Sequence, residues 1–357
     1  MRYAVIMAGG AGKRLWPMSR LDRPKQVLPL VGGRNLLEIA VERCLSCFEP
    51  ENIFIITNGE YSQQVAAALP QLPAKNVVGE PMGRDTANAI ALAAEILAGR
   101  DPSATMAVFT ADHVIRPVEK FAESVDLACR AAEANRDALV TFGIHPTWPH
   151  TGLGYIHCGK ADDSGVHEVL GFKEKPDQHT ASEYVESGEY YWNSGMFVWT
   201  LDAIRKELRK HLPKSMDALE PIGEAVGEGR DYYELLAKIY PELDKISIDF
   251  AVMEKASTVR MVALGCEWLD VGSWPAVEQV CELDDGGNAI LSENTFIDGA
   301  TGNIVVSEDD HLLALLGVTD CVIVHTPDAT LVAAKSEAHR LKDLLESVEK
   351  THIGKYS

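Results

Sequence analysis

Tyr3-Ala4-Val5-Ile6-Met7-Ala8-Gly9-Gly10-Ala11-Gly12-Lys13-Arg14-Leu15-Trp16-Pro17 is the stretch that decides the fold. An apolar run of strand character ends in glycines, and the glycines end in cations. Glycines directly after a first strand let the backbone approach a ligand closely and turn amide donors toward phosphate. Two familiar phosphate loops do not fit. A Walker A loop has glycine five positions before its Gly-Lys and a hydroxyl residue after it, where this chain has Met7 and Arg14. The dinucleotide fingerprint fails because Leu15 stands where the third glycine belongs after Gly10 and Gly12. The loop instead runs on to Arg23-Pro24-Lys25-Gln26, which adds further positive charge beside it.

Working outward, the first half alternates apolar runs with amphipathic stretches. Strands are expected over 3–7, 52–57, 76–78, 105–109 and 138–142, with helices over 35–48, 60–69, 86–98 and 118–134. This rhythm predicts an α/β fold: a Rossmann-like, mostly parallel mixed sheet with helices on both faces, ligands lying at the carboxyl ends of the strands. Beyond residue 155 the pattern reads as a hairpin (155–159 with 166–174), a strand at 190–199 and helices from 201 to about 240. A short helix at 249–255, a strand at 259–264 and a helix at 273–282 complete this part. After the Asp-Gly-Gly breaker within 284–288, short strands are expected at 289–297, 304–307, 312–316, 321–325 and 330–334, then a helix from 336 to about 350. The expected domains are therefore 1–283 and a small β-helix-like unit at 288–357, although no clean repeat period is visible.

The net charge of -20 repels nucleic acid and anionic membranes, so neither is an expected partner. An acidic chain that binds phosphates must gather cations locally or recruit metal. The seven scattered cysteines suit free thiols in a reducing cytoplasm, and Cys44 and Cys47 read as core-facing thiols on a helix. The apolar run at 3–8 is too short for a secretory signal. No stretch approaches the roughly 20 apolar residues of a membrane span.

Gly9-Gly10 to Pro17 with Pro24-Lys25-Gln26 resembles the signature of sugar nucleotidyltransferases, and the extension from Trp16 to Arg20 resembles their mannose-1-phosphate guanylyltransferase branch. Five further motifs match in order: Glu80-Pro-Met-Gly-Arg-Asp85-Thr86-Ala87, Ala111-Asp112-His113, Phe172-Lys-Glu174-Lys175-Pro, Trp192-Asn193-Ser-Gly-Met-Phe197 and Trp268-Leu-Asp270-Val-Gly-Ser-Trp274. The resemblance covers roughly 1–280. Lys13 and Asn88 depart from it, standing where the family has Thr and Pro.

The resemblance implies that a sugar 1-phosphate attacks the α-phosphorus of a nucleoside triphosphate and pyrophosphate leaves, with GTP and mannose 1-phosphate as the expected substrates. Such a reaction needs positioned charge more than a base. It implies Arg14 at the leaving phosphates, Lys25 at the α-phosphate and Lys175 at the sugar phosphate. It implies Mg2+ between Asp112 and Asp270, since hard oxygen ligands plus substrate phosphates suit that ion. Each aspartate also has an ordinary use as a helix or turn cap. Ala8, Gly9, Gly10, Gly12, Lys13, Asp85, Thr86 and Ala87 are the implied nucleotide contacts. Gly154, Glu174 and Asn193 are the implied sugar contacts. Asp85 is open to two uses, capping the helix it precedes or reading guanine N1–H and N2–H2 with its carboxylate. His113 is read as structural, and Trp192, Phe197 and Trp199 as core. Another NDP-sugar product and a non-catalytic nucleotide-binding subunit are the competing readings. The β-rich tail is open to use as a homodimer surface, a lid or a stabilising cap.

Overall fold

The computed structural model describes all residues except Ala11, Leu21, Asp22, Ile353, Gly354, Lys355 and Ser357. Ala11 of the glycine loop therefore lies outside the described residues. The chain forms two compact units. The first comprises Met1–Gly9, Val41–Thr110 and Ile115–Glu267, and the second Gly10–Ala40, Ala111–Val114 and Trp268–Ser357.

The first unit is built on one nine-stranded sheet. Its strands are β1 (Arg2–Ala8), β2 (Ile53–Asn58), β3 (Val77–Glu80) and β4 (Thr105–Thr110), then, past the short β5 (His113–Arg116), β6 (Leu139–Ile144), β7 (Tyr155–Ala161), β8 (Val166–Lys173), β9 (Tyr190–Thr200) and β10 (Val259–Ala263). The order is β3-β2-β1-β4-β9-β6-β10-β8-β7. From β3 to β4 the pairing is parallel, and β9 enters antiparallel to both β4 and β6. The uninterrupted apolar runs of β1 and β4 match their central places, where both faces are covered. Because these strands are parallel, Ala8 and Glu80 end on the same edge of the sheet, the ligand edge of such folds.

Helix α1 (Leu36–Leu45) opens with a capping box, in which Asn35 Oδ1 accepts the Glu38 N–H and Glu38 Oε2 accepts the Asn35 N–H. Helix α2 spans Ser62–Ala68, α3 Asp85–Arg100, α4 Val118–Ala134, α5 Gln178–Ser187, α6 Leu201–His211 and α7 Pro213–Gly227. Helices α3 and α7 touch backbone to backbone: a Cβ on Gly99 would lie 2.3 Å from the Gly223 carbonyl oxygen. Nearby, the buried Glu95 carboxylate takes a two-pronged pair from Arg205 at 2.8 and 3.1 Å. Trp192, Phe197 and Trp199 are core residues, as the sequence suggests. All seven cysteines are unpaired, and burial pushes the Cys44 thiol up to about 12.

The second unit has its own core, where Leu15, Trp16 and Leu28 pack with Trp274, Ile304, Val322, Leu341 and Leu345. Strand β11 (Glu267–Asp270) pairs with β5. Beyond the short helix α8 (Tyr233–Ile239) of the first unit, α9 (Trp274–Glu278) follows β11. The tail then climbs in parallel rungs, as the sequence leads one to expect. Strands β12 (Ala289–Leu291), β14 (Ile304–Ser307) and β16 (Cys321–Thr326) form one ladder, and β13 (Thr295–Asp298) and β15 (Leu313–Leu316) another. The single strand expected at 289–297 is thus two, turned at 292–294. The rungs advance by unequal steps, which hides the repeat from the sequence. Strand β17 (Ala329–Ala334) returns antiparallel on β16, and helix α10 (Leu341–His352) follows. No helix among the described residues is long and apolar enough to cross a membrane.

Two buried asparagines hold the rungs. Asn288 Oδ1 accepts the Asn303 backbone and side-chain N–H groups, each at 2.9 Å, and Asn303 Oδ1 accepts the Cys321 N–H at 2.9 Å. Replacing Asn303 by Ala strips the Cys321 N–H of its acceptor and takes one of two donors from Asn288 Oδ1. We expect a loss of about 3 kcal/mol in unfolding free energy, to be read from urea unfolding of Asn303→Ala against the parent chain.

Candidate active site

In the second unit the β5–β11 pairing brings two distant aspartates together. The Val271 N–H donates to the Asp112 carbonyl at 3.0 Å, and Asp112, His113 and Asp270 each offer a ligand atom, all within 4.8 Å of one another. His113 Nδ1 accepts the Trp268 indole N–H at 3.1 Å, so the neutral ring carries its proton on Nε2. That nitrogen lies 3.9 Å from Asp112 Oδ1. A metal is therefore offered two carboxylates, with the histidine behind one of them, a donor set of hard oxygens that fits Mg2+ better than a softer ion.

The Lys25 ammonium pairs with Asp112 Oδ2, and only 9% of Lys25 is exposed. Burial pushes the Asp112 pKa up, but the charge and hydrogen bond of Lys25 outweigh it and hold the carboxyl well below the usual carboxylate range. Gly12 makes this possible. Its φ is +65°, and a Cβ there would lie 2.5 Å from Lys25 Cβ. Gly272 does the same for the other cation, since a Cβ there would lie 2.9 Å from Arg14 Nη2 and 3.1 Å from Asp270 Oδ1. Arg14 is exposed and, among the described residues, has no acidic partner. Gly10, at φ +94°, has its carbonyl bonded by the Gln26 amide at 3.3 Å. Lys13 is not simply solvated: its ammonium lies 3.2 Å from Glu349 Oε1.

The first unit holds the remaining predicted residues in two groups. Ala8 closes β1, its carbonyl bonded by Thr57 Oγ1 at 3.2 Å, and Gly9 follows beside Glu80, whose Oε2 would be 3.9 Å from a Cβ on Gly9. Glu80 is buried at 6% exposure and takes a hydrogen bond from the Tyr240 hydroxyl. Burial raises its pKa to about 7 despite that bond, with Asp85 adding to the rise. Asp85 opens α3 at φ +66°, a strained value for a residue with a side chain, and its Oδ1 accepts the Thr86 N–H at 2.8 Å. Thr86 Oγ1 accepts the Ile248 N–H at 2.9 Å, and the Ala87 N–H donates to the Ile246 carbonyl at 3.2 Å. Asn88 donates its amide to the Asp244 carbonyl at 2.6 Å, which gives this departure from the family pattern a bracing job.

In the other group, the ladder between β6 and β9 slips at Asn193-Ser194-Gly195, with Gly195 at φ +66°. Asn193 Oδ1 takes the Gly195 N–H, which leaves Nδ2 to donate to Asp249 Oδ1 at 2.8 Å. The Gly154 carbonyl accepts the Asn193 N–H at 2.8 Å, and a Cβ on Gly154 would lie 3.2 Å from Glu174 Oε2. Lys175, at φ +36°, lies 2.9 Å from Glu174 and is well exposed. Burial raises the Asp249 pKa, Asn193 lowers it, and Glu174 and Asp85 raise it further.

The chain is similar to known proteins along its length. A nucleotidyl transferase family model matches residues 3–286, and a mannose-phosphate isomerase/GMP-like β-helix model matches 294–348. The chain belongs to the nucleotidyl transferase family. It is 39% identical to a mannose-1-phosphate guanylyltransferase of Klebsiella pneumoniae, over 100% of this chain and 76% of that protein. It is 38% identical to the xanthan biosynthesis protein XanB of Xanthomonas campestris, over 97% of this chain and 73% of that one. A crystal structure from Thermus thermophilus, described as a mannose-1-phosphate geranyltransferase, superposes with a TM-score of 0.85 at 35% identity, covering 98% and 99% of the two chains.

The sequence reading assigned no role to Glu80, Tyr240 or Asp249. Glu80 heads a quoted motif, but its burial depends on Tyr240, 160 residues away. Asp249 begins a π-helical turn, Asp249–Met253, a form that is frequent at functional sites. Only its carboxylate type could have signalled it.

Two outcomes follow for this nucleotidyltransferase. Gly272→Ala should push Arg14 and Asp270 apart and lower kcat/KM by up to about 100-fold, with little change in melting temperature. Glu80 holds a proton in the folded chain that it would lose near pH 4.5 when unfolded, so its contribution to stability is lost as pH rises from about 4.5 through 7. Glu80→Gln, which keeps an acceptor for Tyr240, should flatten that decline by roughly 3 kcal/mol at most, measured by urea unfolding from pH 5 to 7.5.

Proposed function

We propose that this nucleotidyltransferase joins mannose 1-phosphate to GTP, giving GDP-mannose and diphosphate. The observation that carries the reading is the constellation of Lys25 on Asp112, with Asp270 beside it and Arg14 across Gly272. It gathers cations and oxygen ligands at a glycine loop in a chain of net charge -20. The names of the relatives supply the two substrates.

In this reading a phosphate oxygen of the sugar 1-phosphate attacks the α-phosphorus, and the bond from that phosphorus to the bridging oxygen of the leaving diphosphate breaks. Arg14, with no acidic partner of its own among the described residues, takes the β- and γ-phosphates through its planar fork. Lys25 meets the α-phosphate as a point charge. Lys175 holds the sugar phosphate, while Glu174, Asn193 and the Gly154 backbone bind hydroxyls. Asp249 joins them by holding the Asn193 amide in place. Asp112 and Asp270 would hold Mg2+, which would supply charge neutralisation for the phosphates. Ala8, Gly9, Gly10, Gly12 and Lys13 line the triphosphate, and Asp85, Thr86 and Ala87 the nucleoside. The Ala87 N–H is already bonded to the Ile246 carbonyl, so Ala87 shapes the nucleoside end rather than donating to it, while the Thr86 hydroxyl, which accepts the Ile248 N–H, keeps its own proton to donate.

We assign this chemistry to 1–283 and the β-helix-like portion to 288–357, whose core also holds Leu15 and Trp16 of the loop. A cytoplasmic location is part of the reading, supported by seven unpaired thiols. The decisive test is diphosphate release with each of four nucleoside triphosphates, crossed against mannose 1-phosphate and glucose 1-phosphate, with Mg2+ or with chelator. We expect release with GTP, mannose 1-phosphate and metal together. Release with another pair replaces the substrates and keeps the mechanism, while no release with any pair overturns the reading in favour of a nucleotide-binding subunit.

A further inference from the structure

The tail of the chain supplies acidic partners to the loop that carries the catalytic cations. Arg20 Nη2 lies 2.8 Å from Asp328 Oδ1, and Arg20 Nη1 donates to the Tyr356 carbonyl at 3.2 Å. The same carbonyl accepts the Trp16 indole N–H at 2.7 Å, and the Arg20 guanidinium sits 5.5 Å from the centre of that indole. Arg23 pairs with Glu308. Arg20 is held on several sides with its side chain 13% exposed, so its contacts are a fixed anchor.

The Lys13–Glu349 pair differs. It is one contact, 3.2 Å long, between side chains 38% and 29% exposed, and it falls on the residue directly after Gly12. Leu341, Leu345 and Glu349 follow at helical spacing on α10, and both leucines pack into the core that holds Leu15 and Trp16. The apolar stripe thus delivers Glu349 to the loop. A half-exposed pair of this kind is weak. A triphosphate arriving at the loop brings several negative charges against the single one on Glu349.

We propose that Glu349 is an electrostatic latch on the nucleotide loop, holding Lys13 in the nucleotide-free chain and yielding it to the triphosphate. The inference rests on the nucleotidyltransferase reading of the loop. The terminal helix thereby competes with nucleotide for one cation, and the affinity for nucleotide is set partly by the tail.

The test is calorimetric titration of the full chain with GTP and Mg2+, for the parent, Glu349→Gln, Lys13→Ala and the double variant. Glu349→Gln should bind GTP about threefold more tightly, with unchanged melting temperature and unchanged affinity for mannose 1-phosphate. The gain should shrink in 0.5 M added NaCl, as expected of a partly exposed pair. Lys13→Ala should bind more weakly, and in that background Glu349→Gln should change nothing, because the latch acts only through Lys13. An unchanged GTP affinity in Glu349→Gln, or a gain that persists without Lys13, overturns the latch. Absence of GTP binding by the parent chain overturns the nucleotide reading itself, a separate result.

Discussion

The Lys25 ammonium resting on the Asp112 carboxylate is the interaction on which the rest of the site depends. Two carboxylates within ligand reach of each other repel, and Asp112 and Asp270 are kept close by the β5–β11 pairing and the Val271–Asp112 backbone bond. Without a cation between or beside them, that proximity raises a carboxyl pKa and favours a proton over a metal. Lys25 reverses the balance and keeps Asp112 ionised far below neutrality. In the proposed reaction, the arrangement also stores the lysine that meets the α-phosphate. The partly buried ion pair is costly to desolvate, and the backbone shape that accommodates it is available only because Gly12 carries no side chain.

The group around Asn193, proposed to bind the sugar, solves the opposite problem. Asp249 and Glu174 are both acidic, and burial raises Asp249 rather than lowering it. Acceptors that bind a polyol need not be strong anions, whereas metal ligands must be. Asn193 mediates: its oxygen is committed to Gly195 and its amide to Asp249, so its orientation is fixed by two partners of opposite polarity. The β-bulge at Ser194-Gly195 therefore helps to set that orientation, since a regular ladder would leave the Asn193 side-chain oxygen without its local donor, the Gly195 N–H.

The parallel half of the sheet was legible because β1 and β4 are buried on both faces and their apolar runs are unbroken. The tail strands were legible as strands, although their stacking was not, since unequal rungs leave no period to read. Asp112, Asp270, Arg14 and Lys25 were visible as motif residues, and the structure brings the two aspartates within reach of each other. What brings them together was not visible. Strand β5 was not foreseen because His113–Arg116 is four residues long and gains its pairing only from Glu267–Asp270. Glu80 with Tyr240 and Asn193 with Asp249 escaped for the same reason. A carboxylate becomes distinctive through a partner more than fifty positions away, and local patterning carries no trace of that.

The composition of the second unit bears on how the site is maintained. The loop at 10–40, the Asp112 segment and the chain from 268 onward share one compact body and one core. Trp274 donates its buried indole N–H to the Trp16 carbonyl at 3.0 Å, and Lys335 pairs with Glu278 at 2.6 Å, so the turn carrying Asp270 and Gly272 is tied both to the loop and to the tail. A glycine loop has little intrinsic order, because glycine gives up more conformational freedom than any other residue on being fixed. Its order must come from the residues after it, and Leu15, Trp16 and Met18 provide that by burial among tail residues. The β-rich tail therefore acts on the phosphate loop through packing, whatever else it binds. A loss of order in the Asn288–Asn303 rungs reaches Leu15, the neighbour of Arg14, through the core that Leu15 shares with Ala289 and Ile304.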